Sequence, residues 1–186
     1  MNRIILASQS PRRKELLTML GYDFTVQKSD VDETVSESMP TDDVAVYLAE
    51  LKGEAVLKKF PGNIVIAADT VVINNDSILG KPKNEDDALE ILKTLSGQEH
   101  KVITGVAILT DDKMISFSSK TTVSFYDLSD YEIKQYIDSK EPMDKAGAYG
   151  IQGLGGLFVK NINGDFYSVM GLPIAKLNKE LKRFLS

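Results

Sequence analysis

Residues 6–20, Leu-Ala-Ser-Gln-Ser-Pro-Arg-Arg-Lys-Glu-Leu-Leu-Thr-Met-Leu, decide how the chain is built. The apolar run Ile4, Ile5, Leu6 leading into them reads as a short buried strand, and Leu16, Leu17 and Leu20 recur behind it at helical spacing. Between strand and helix, Ser10 suits an N-cap and Pro11 the first helical position, where its ring presets φ and its missing N–H would have had no intrahelical acceptor. Gly21 suits the residue past the helix end. A helix start offers free N–H groups and partial positive charge, to which Arg12, Arg13, Ser8 and Ser10 add two guanidiniums and two hydroxyls. Cations in a first turn oppose the helix dipole, so this cluster points to a bound anion, phosphate above all. The alternative is a solvated basic face over Arg12, Arg13 and Lys14.

Outward from this stretch the chain alternates helical and strand patterns. Phe24 to Val26 reads as a strand and Ser29 to Pro40 as an acidic loop with Asp30, Asp32, Glu33 and Glu37. Thr41 with Asp42 and Asp43 starts a helix carrying Val44, Leu48, Leu51 and Ala55 on its apolar stripe. Ile64 to Ile73 is almost continuously apolar and β-branched, which predicts a central buried strand. After a short strand at Ile78 and Leu79, Asn84 caps a helix with Ala88, Leu89, Leu92 and Leu95 inward, and Gly97 stops it. Two strands follow, Lys101 to Leu109 and a longer one in which Ile115, Phe117, Thr121, Val123 and Phe125 alternate. Ser129 and Glu132 form a capping box. Gly147 to Gly156 is a glycine-rich loop, and Leu157 to Ile162 with Phe166 to Val169 flank Asn163-Gly164 as a predicted hairpin. Pro173 opens a last helix with Leu177, Leu181 and Leu185 facing inward. The order predicts an α/β protein around a mixed sheet.

Composition narrows the function. A chain of 186 residues with 42% hydrophobic content can bury a substantial core, and its net charge of −5 argues against a general nucleic-acid binder. With no cysteine, thiolate chemistry and cysteine-ligated zinc are excluded, and His100, the single histidine, has no nucleophile-elbow pattern to serve. No apolar run reaches membrane-spanning length and no signal segment opens the chain, so a cytoplasmic protein without a membrane partner is expected.

Asp69 is the sharpest single signal, because an ionised carboxylate inside an apolar run is costly unless paired or bound to a cation. It reads either as a functional carboxylate at a bent or interrupted strand, or as an exposed residue where the strand ends. By spacing alone Asp30 to Glu33 is an exposed acidic loop, with Asp32 or Glu33 as a second carboxylate beside Asp69 for magnesium the alternative, Lys52 is an ordinary surface lysine and Gln152 a polar loop residue. Lys81 is different: Gly80 and Pro82 impose an irregular backbone around it, which favours a ligand contact.

Ser8-Gln-Ser-Pro-Arg-Arg, Ala68-Asp69-Thr70, Gly80-Lys81-Pro82, Leu95-Ser96-Gly97 and Lys140-Glu-Pro-Met-Asp-Lys-Ala-Gly-Ala-Tyr-Gly-Ile-Gln-Gly, in this order, resemble the Maf family of nucleoside triphosphate pyrophosphatases. The resemblance runs from Leu6 to Pro173. It implies one domain over residues 1–186, with the two-lobed α/β fold of inosine triphosphate pyrophosphatases: a mixed twisted sheet, flanking helices and a cleft between lobes. It also implies Ser8, Arg12 and Arg13 as phosphate or substrate contacts, Lys52 and Lys81 as further substrate-binding lysines, Asp69 as proton acceptor, and Glu33 with Asp69 as carboxylates for Mg2+ or Mn2+.

The reaction so implied is hydrolysis between the α and β phosphates of a nucleoside triphosphate, linked in this family to nucleotide-pool cleaning and septum formation. Arg12, Thr70 and Gln152 resemble the dTTP/UTP subtype, whereas the 7-methyl-GTP subtype carries tryptophan, glutamine and glutamate at these places. An amide both donates and accepts, matching the N3–H and carbonyl edge of thymine or uracil. The rival reading is a nucleotide-binding regulator of division that turns nothing over. The oligomeric state is left open, a homodimer included.

Overall fold

The computed structural model describes residues 3–185. In chain order the elements are β1 (Ile4–Ala7), α1 (Pro11–Thr18), β2 (Phe24–Val26), α2 (Thr41–Lys59), β3 (Ile64–Asn74), β4 (Ser77–Leu79), α3 (Glu85–Leu95), β5 (Glu99–Leu109), β6 (Met114–Phe125), α4 (Asp130–Asp138), β7 (Val159–Asn163), α5 (Phe166–Met170) and α6 (Ile174–Leu185). Short 3-10 turns occupy Glu141–Asp144, Ala146–Ala148 and Leu154–Phe158. The strand order is β2-β1-β3-β5-β6-β7, with β4 added to β3. β1 runs parallel to β2 and β3, while β3–β4 and β6–β7 are antiparallel, so the sheet is mixed as expected.

The helix starts follow the predicted chemistry. Ser10 accepts the N–H of Arg13, Asn84 that of Asp87, and Ser129 and Glu132 complete their reciprocal box. Thr41 is the first residue of α2, and no side chain caps that helix. No helix among the described residues is long and apolar enough to cross a membrane.

The chain divides into two compact units. The first comprises the residues up to Thr70, Thr104–Ser119, and those from Gly171 onward. Its core sets Ile5, Ala7, Val65, Ala67, Ala107 and Leu109 of the strands against Ala49 and Val56 of α2. That helix lies close to the sheet because the residues facing it are small: Ala45 and Ala49 are fully buried, and a Cβ on Gly53 would fall 2.4 Å from Leu109. The second unit, Val71–Ile103 and Lys120–Met170, packs α3 and α4 through Leu92, Leu95, Ile133 and Ile137 against Val123 and Phe125.

His100 belongs to this second core and is 2% exposed. Its Nε2 lies 2.8 Å from the Tyr149 hydroxyl, and its ring stands perpendicular to that of Phe125 with centroids 4.9 Å apart. Burial lowers its pKa to about 4. The unfolded chain therefore takes up a proton near pH 6.5 that the native state refuses until near 4, so His100 erodes stability as pH falls through that window. Relative to His100→Gln, the wild type should lose about 2 kcal/mol more between pH 7 and 4.5. Urea midpoints of both proteins at the two pH values measure this, and parallel losses would contradict it.

Three expectations are corrected. Asn163-Gly164 does not join two strands: β7 pairs with β6, but residues 166–170 are helical. Asp165 turns the chain instead: its Oδ1 accepts the N–H of Tyr167 at the helix start, and Thr121 Oγ1 exchanges hydrogen bonds with the Asp165 backbone, tying it to β6. Leu185 is 49% exposed, the last turn having run past the core that covers Leu177 and Leu181. Lastly, β3 neither ends nor breaks at Asp69 and continues to Asn74.

Candidate active site

Parallel pairing of Ile4–Ala7 with Ile64 to Ala67 places Ser8, just beyond β1, next to the segment Ala68-Asp69-Thr70. The carboxyl ends of parallel strands are where open α/β sheets present ligand sites. Ser8 Oγ accepts from the Ser10 N–H at 3.2 Å and from Arg13 Nη1 at 3.4 Å. Arg13 Nη2 donates to Thr70 Oγ1 at 3.0 Å and Nε to the Gly171 carbonyl at 2.8 Å. Thr70 Oγ1 is 2.8 Å from the hydroxyl of Thr104. The arginine expected to bind phosphate and the threonine expected to tune specificity are thus bonded to each other. Part of the Arg13 fork serves the fold by tying α1 to β3 and to the approach to α6.

Gly171 and Thr104 escaped the sequence reading. Thr104 could have been found by the argument that found Asp69, since it is the one hydroxyl in the apolar run Val102 to Leu109, and it is fully buried. Gly171 gave no such signal. It adopts φ +114, and a Cβ there would lie 3.3 Å from Arg13 Nε.

The second group is ionic. Lys52 Nζ contacts Asp69 Oδ1 at 2.5 Å and Glu33 Oε2 at 2.8 Å, the side chains of Lys52, Asp69 and Glu33 being 11%, 14% and 51% exposed. Lys52 is therefore no ordinary surface lysine, while Glu33 reaches it from the exposed acidic loop. The small residues of α2 bring Lys52 close enough to β3 for this contact. Burial lowers the pKa of Arg13; the charge of Asp69 opposes that shift, Arg12 adds to it and Glu33 opposes it, so the two groups share one electrostatic environment.

Arg12 is half-buried at the second position of α1. Lys81 and Gln152 belong to the second unit and are exposed, Lys81 directly after β4 and Gln152 within the glycine-rich segment. The backbone around Lys81 is held in part by the Gly80 carbonyl, which accepts the N–H of Gly147 at 3.0 Å.

The family described as "Maf-like protein" matches residues 3–184. This chain is a member of the Maf family. It is 51% identical over 184 residues to the "dTTP/UTP pyrophosphatase" of Bacillus cereus strain G9842, covering 99% of this chain and 96% of that protein. A protein of the same name from Bacillus thuringiensis subsp. konkukian strain 97-27 is 50% identical, with the same coverage. Among solved structures, the Ham1 protein of Staphylococcus aureus is 19% identical with a TM-score of 0.48, covering 67% of this chain and 72% of that one.

Membership in the Maf family suggests dependence on a divalent metal, for which Glu33 and Asp69 beside Lys52 are the candidate carboxylates. Glu33 and Asp69 already converge on one cation, the Lys52 ammonium, which shows that they can share a positive charge. Among the described residues no group of three or more histidines, cysteines, aspartates and glutamates could hold a metal. Two carboxylates completed by phosphate oxygens suit Mg2+, which commonly keeps one or two protein carboxylates and takes its remaining ligands from substrate and water. The pair fits an ion that arrives with a nucleotide.

Proposed function

We propose that the chain hydrolyses dTTP and UTP to the monophosphate and pyrophosphate, acting on the free nucleotide pool of the cytoplasm. The observation that carries this reading is the convergence of Glu33 and Asp69 on Lys52, in electrostatic contact with Arg13. It is supported by identity of 51% over 99% of the chain to a protein named for that activity. Cations meet a polyanionic substrate while a carboxylate remains to handle a proton, a combination that a protein which only held the anion would gain little from.

In this scheme Ser8, Arg12, Arg13 and Lys81 bind phosphate oxygens, and Lys52 orients Asp69. The Asp69 carboxylate accepts a proton from the water that attacks the α phosphorus, and pyrophosphate leaves. Glu33 and Asp69 would hold Mg2+ or Mn2+, which supplies charge withdrawal from the phosphates when bound. Gln152 reads the pyrimidine edge by donating and accepting at once, with Arg12 and Thr70 completing the specificity set.

The test is pyrophosphate release from dTTP, UTP, CTP, GTP and 7-methyl-GTP by the wild type and Gln152→Glu, with Mg2+ or Mn2+ and with a chelator. We expect dTTP and UTP to lead, the chelator to abolish turnover, and the mutant to lose its pyrimidine preference. A guanine nucleotide preferred by the wild type would transfer the chain to the other subtype. Full activity in chelator would remove the metal from the scheme, and absence of release from every nucleotide would leave the regulator reading.

A further inference from the structure

Glu141 opens the 3-10 turn ahead of the glycine-rich segment, and Tyr136 lies on the buried face of α4. Glu141 Oε2 accepts the N–H of Leu154 at 2.9 Å. Its Oε1 accepts the N–H of Gly155 at 3.2 Å and the hydroxyl of Tyr136 at 3.0 Å. The same Tyr136 oxygen accepts the N–H of Gly150 at 3.1 Å. One carboxylate and one phenol thus hold the backbone on both sides of Ile151-Gln152-Gly153, with Gln152 exposed between the held points.

This arrangement also explains two of the glycines. A Cβ on Gly153 would fall 2.3 Å from Glu141 Oε2, and one on Gly155 would fall 2.7 Å from the Tyr136 hydroxyl. The chain closes round the two side chains because those positions carry none. Burial pushes the Glu141 carboxyl up, but the hydrogen bonds from the Leu154 and Gly155 N–H groups and the Tyr136 hydroxyl, with Lys145 nearby, together outweigh it and hold the carboxyl below its usual range. Both oxygens therefore accept at neutral pH.

We propose that Glu141, with Tyr136, is a positioning residue for segment 150–155 and that the pyrimidine preference depends on this brace. The inference rests on the reading of Gln152 as the base contact. An amide that must present a donor and an acceptor to one base edge needs a fixed orientation, and a segment rich in glycine has the most backbone freedom to lose. Glutamine cannot replace Glu141 fully, because its amino group would face one of the backbone donors.

The experiment compares wild type, Glu141→Ala, Glu141→Gln and Tyr136→Phe. Amide hydrogen exchange is followed over residues 147–158, and kcat and KM are measured for dTTP, UTP, CTP and GTP with Mg2+. In Glu141→Ala, exchange at 150–155 should accelerate and KM for dTTP should rise about ten- to a hundredfold, the range for lost hydrogen bonds to a charged group, with kcat changing much less. Preference for dTTP over CTP should fall toward parity in Glu141→Ala and by less in Glu141→Gln.

Tyr136→Phe keeps the ring that packs edge to face against Phe158, with centroids 5.0 Å apart, and removes the bonds to Gly150 and to Glu141 while leaving Glu141 its bonds from Leu154 and Gly155. It should loosen Gly150 most, so it decides the matter if Glu141→Ala unfolds. Unchanged exchange would overturn the brace. Faster exchange with an unchanged base ranking would overturn its link to recognition. A wild type that releases no pyrophosphate would overturn the proposed function and the recognition half of the inference together, while the exchange data would still judge the brace.

Discussion

Asp69→Asn should lower pyrophosphate release by roughly 10²- to 10⁴-fold, the range for loss of a general acid–base group. The substitution is nearly isosteric, and Asn retains an oxygen able to accept from Lys52. What disappears is the charge and the capacity to take up a proton. Folding should be little affected, because Lys52 keeps Glu33 as an ionic partner and no buried cation is stranded. Nucleotide binding should survive for the same reason, with one negative charge fewer beside the phosphates. Single-turnover release, nucleotide affinity and thermal unfolding of the variant separate these effects. Turnover near that of wild type would remove Asp69 from the chemistry, whereas a collapse of the melting temperature would make its role structural.

Gly105→Ala should destabilise the chain by roughly 3 kcal/mol or more, near or beyond the top of the usual range for overpacking. A Cβ at this position would lie 2.3 Å from both the carbonyl carbon and the oxygen of Ala45. These are backbone atoms of α2, so no side chain can rotate away and the helix itself must lift from β5. Replacing a strand glycine ordinarily gains stability through the unfolded chain, by under about 1 kcal/mol, too little to offset the clash. Lifting α2 also withdraws Lys52 from Asp69, so the folded fraction should turn over more slowly than wild type. Urea unfolding with an unchanged slope and a lowered midpoint would record the stability loss. Wild-type stability would mean that α2 approaches the sheet less closely than its Ala45, Ala49 and Gly53 face indicates.

That face was not legible in the apolar stripe. Periodicity picks out large residues such as Val44 and Leu48, while the closest approach between helix and sheet is made where side chains are smallest. Lys52 illustrates the consequence. By spacing it is a surface lysine, and only the resemblance to known pyrophosphatases assigns it to the site; in the structure its ammonium lies on two carboxylates because α2 lies so near β3. Thr70 shows the opposite case. The resemblance implies a role in specificity, and the Thr70 hydroxyl is held between Arg13 and Thr104, a contact that joins residues far apart in the chain.

Local chemistry determined the elements themselves. The helix at Pro11 was readable because an N-cap serine and a proline act within one turn, and β3 because a long β-branched run has few other ways to be buried. Asp69 stood out because a charge in such a run demands compensation whatever the fold. At Asn163-Gly164 local chemistry misled, since Asp165 and Thr121 recruit the following residues into a helix through a contact with β6 that the dipeptide does not encode. By itself, then, the sequence determined the elements, the anion-seeking helix start and the carboxylate needing a partner, because each depends on neighbours a few residues apart. Tertiary structure alone decided which partners meet: Lys52 with Glu33 and Asp69, Arg13 with Gly171, Glu141 with the backbone around Gln152. Such pairings depend on how closely distant segments approach, and that distance is set by small residues and backbone hydrogen bonds that leave little mark on hydrophobic pattern.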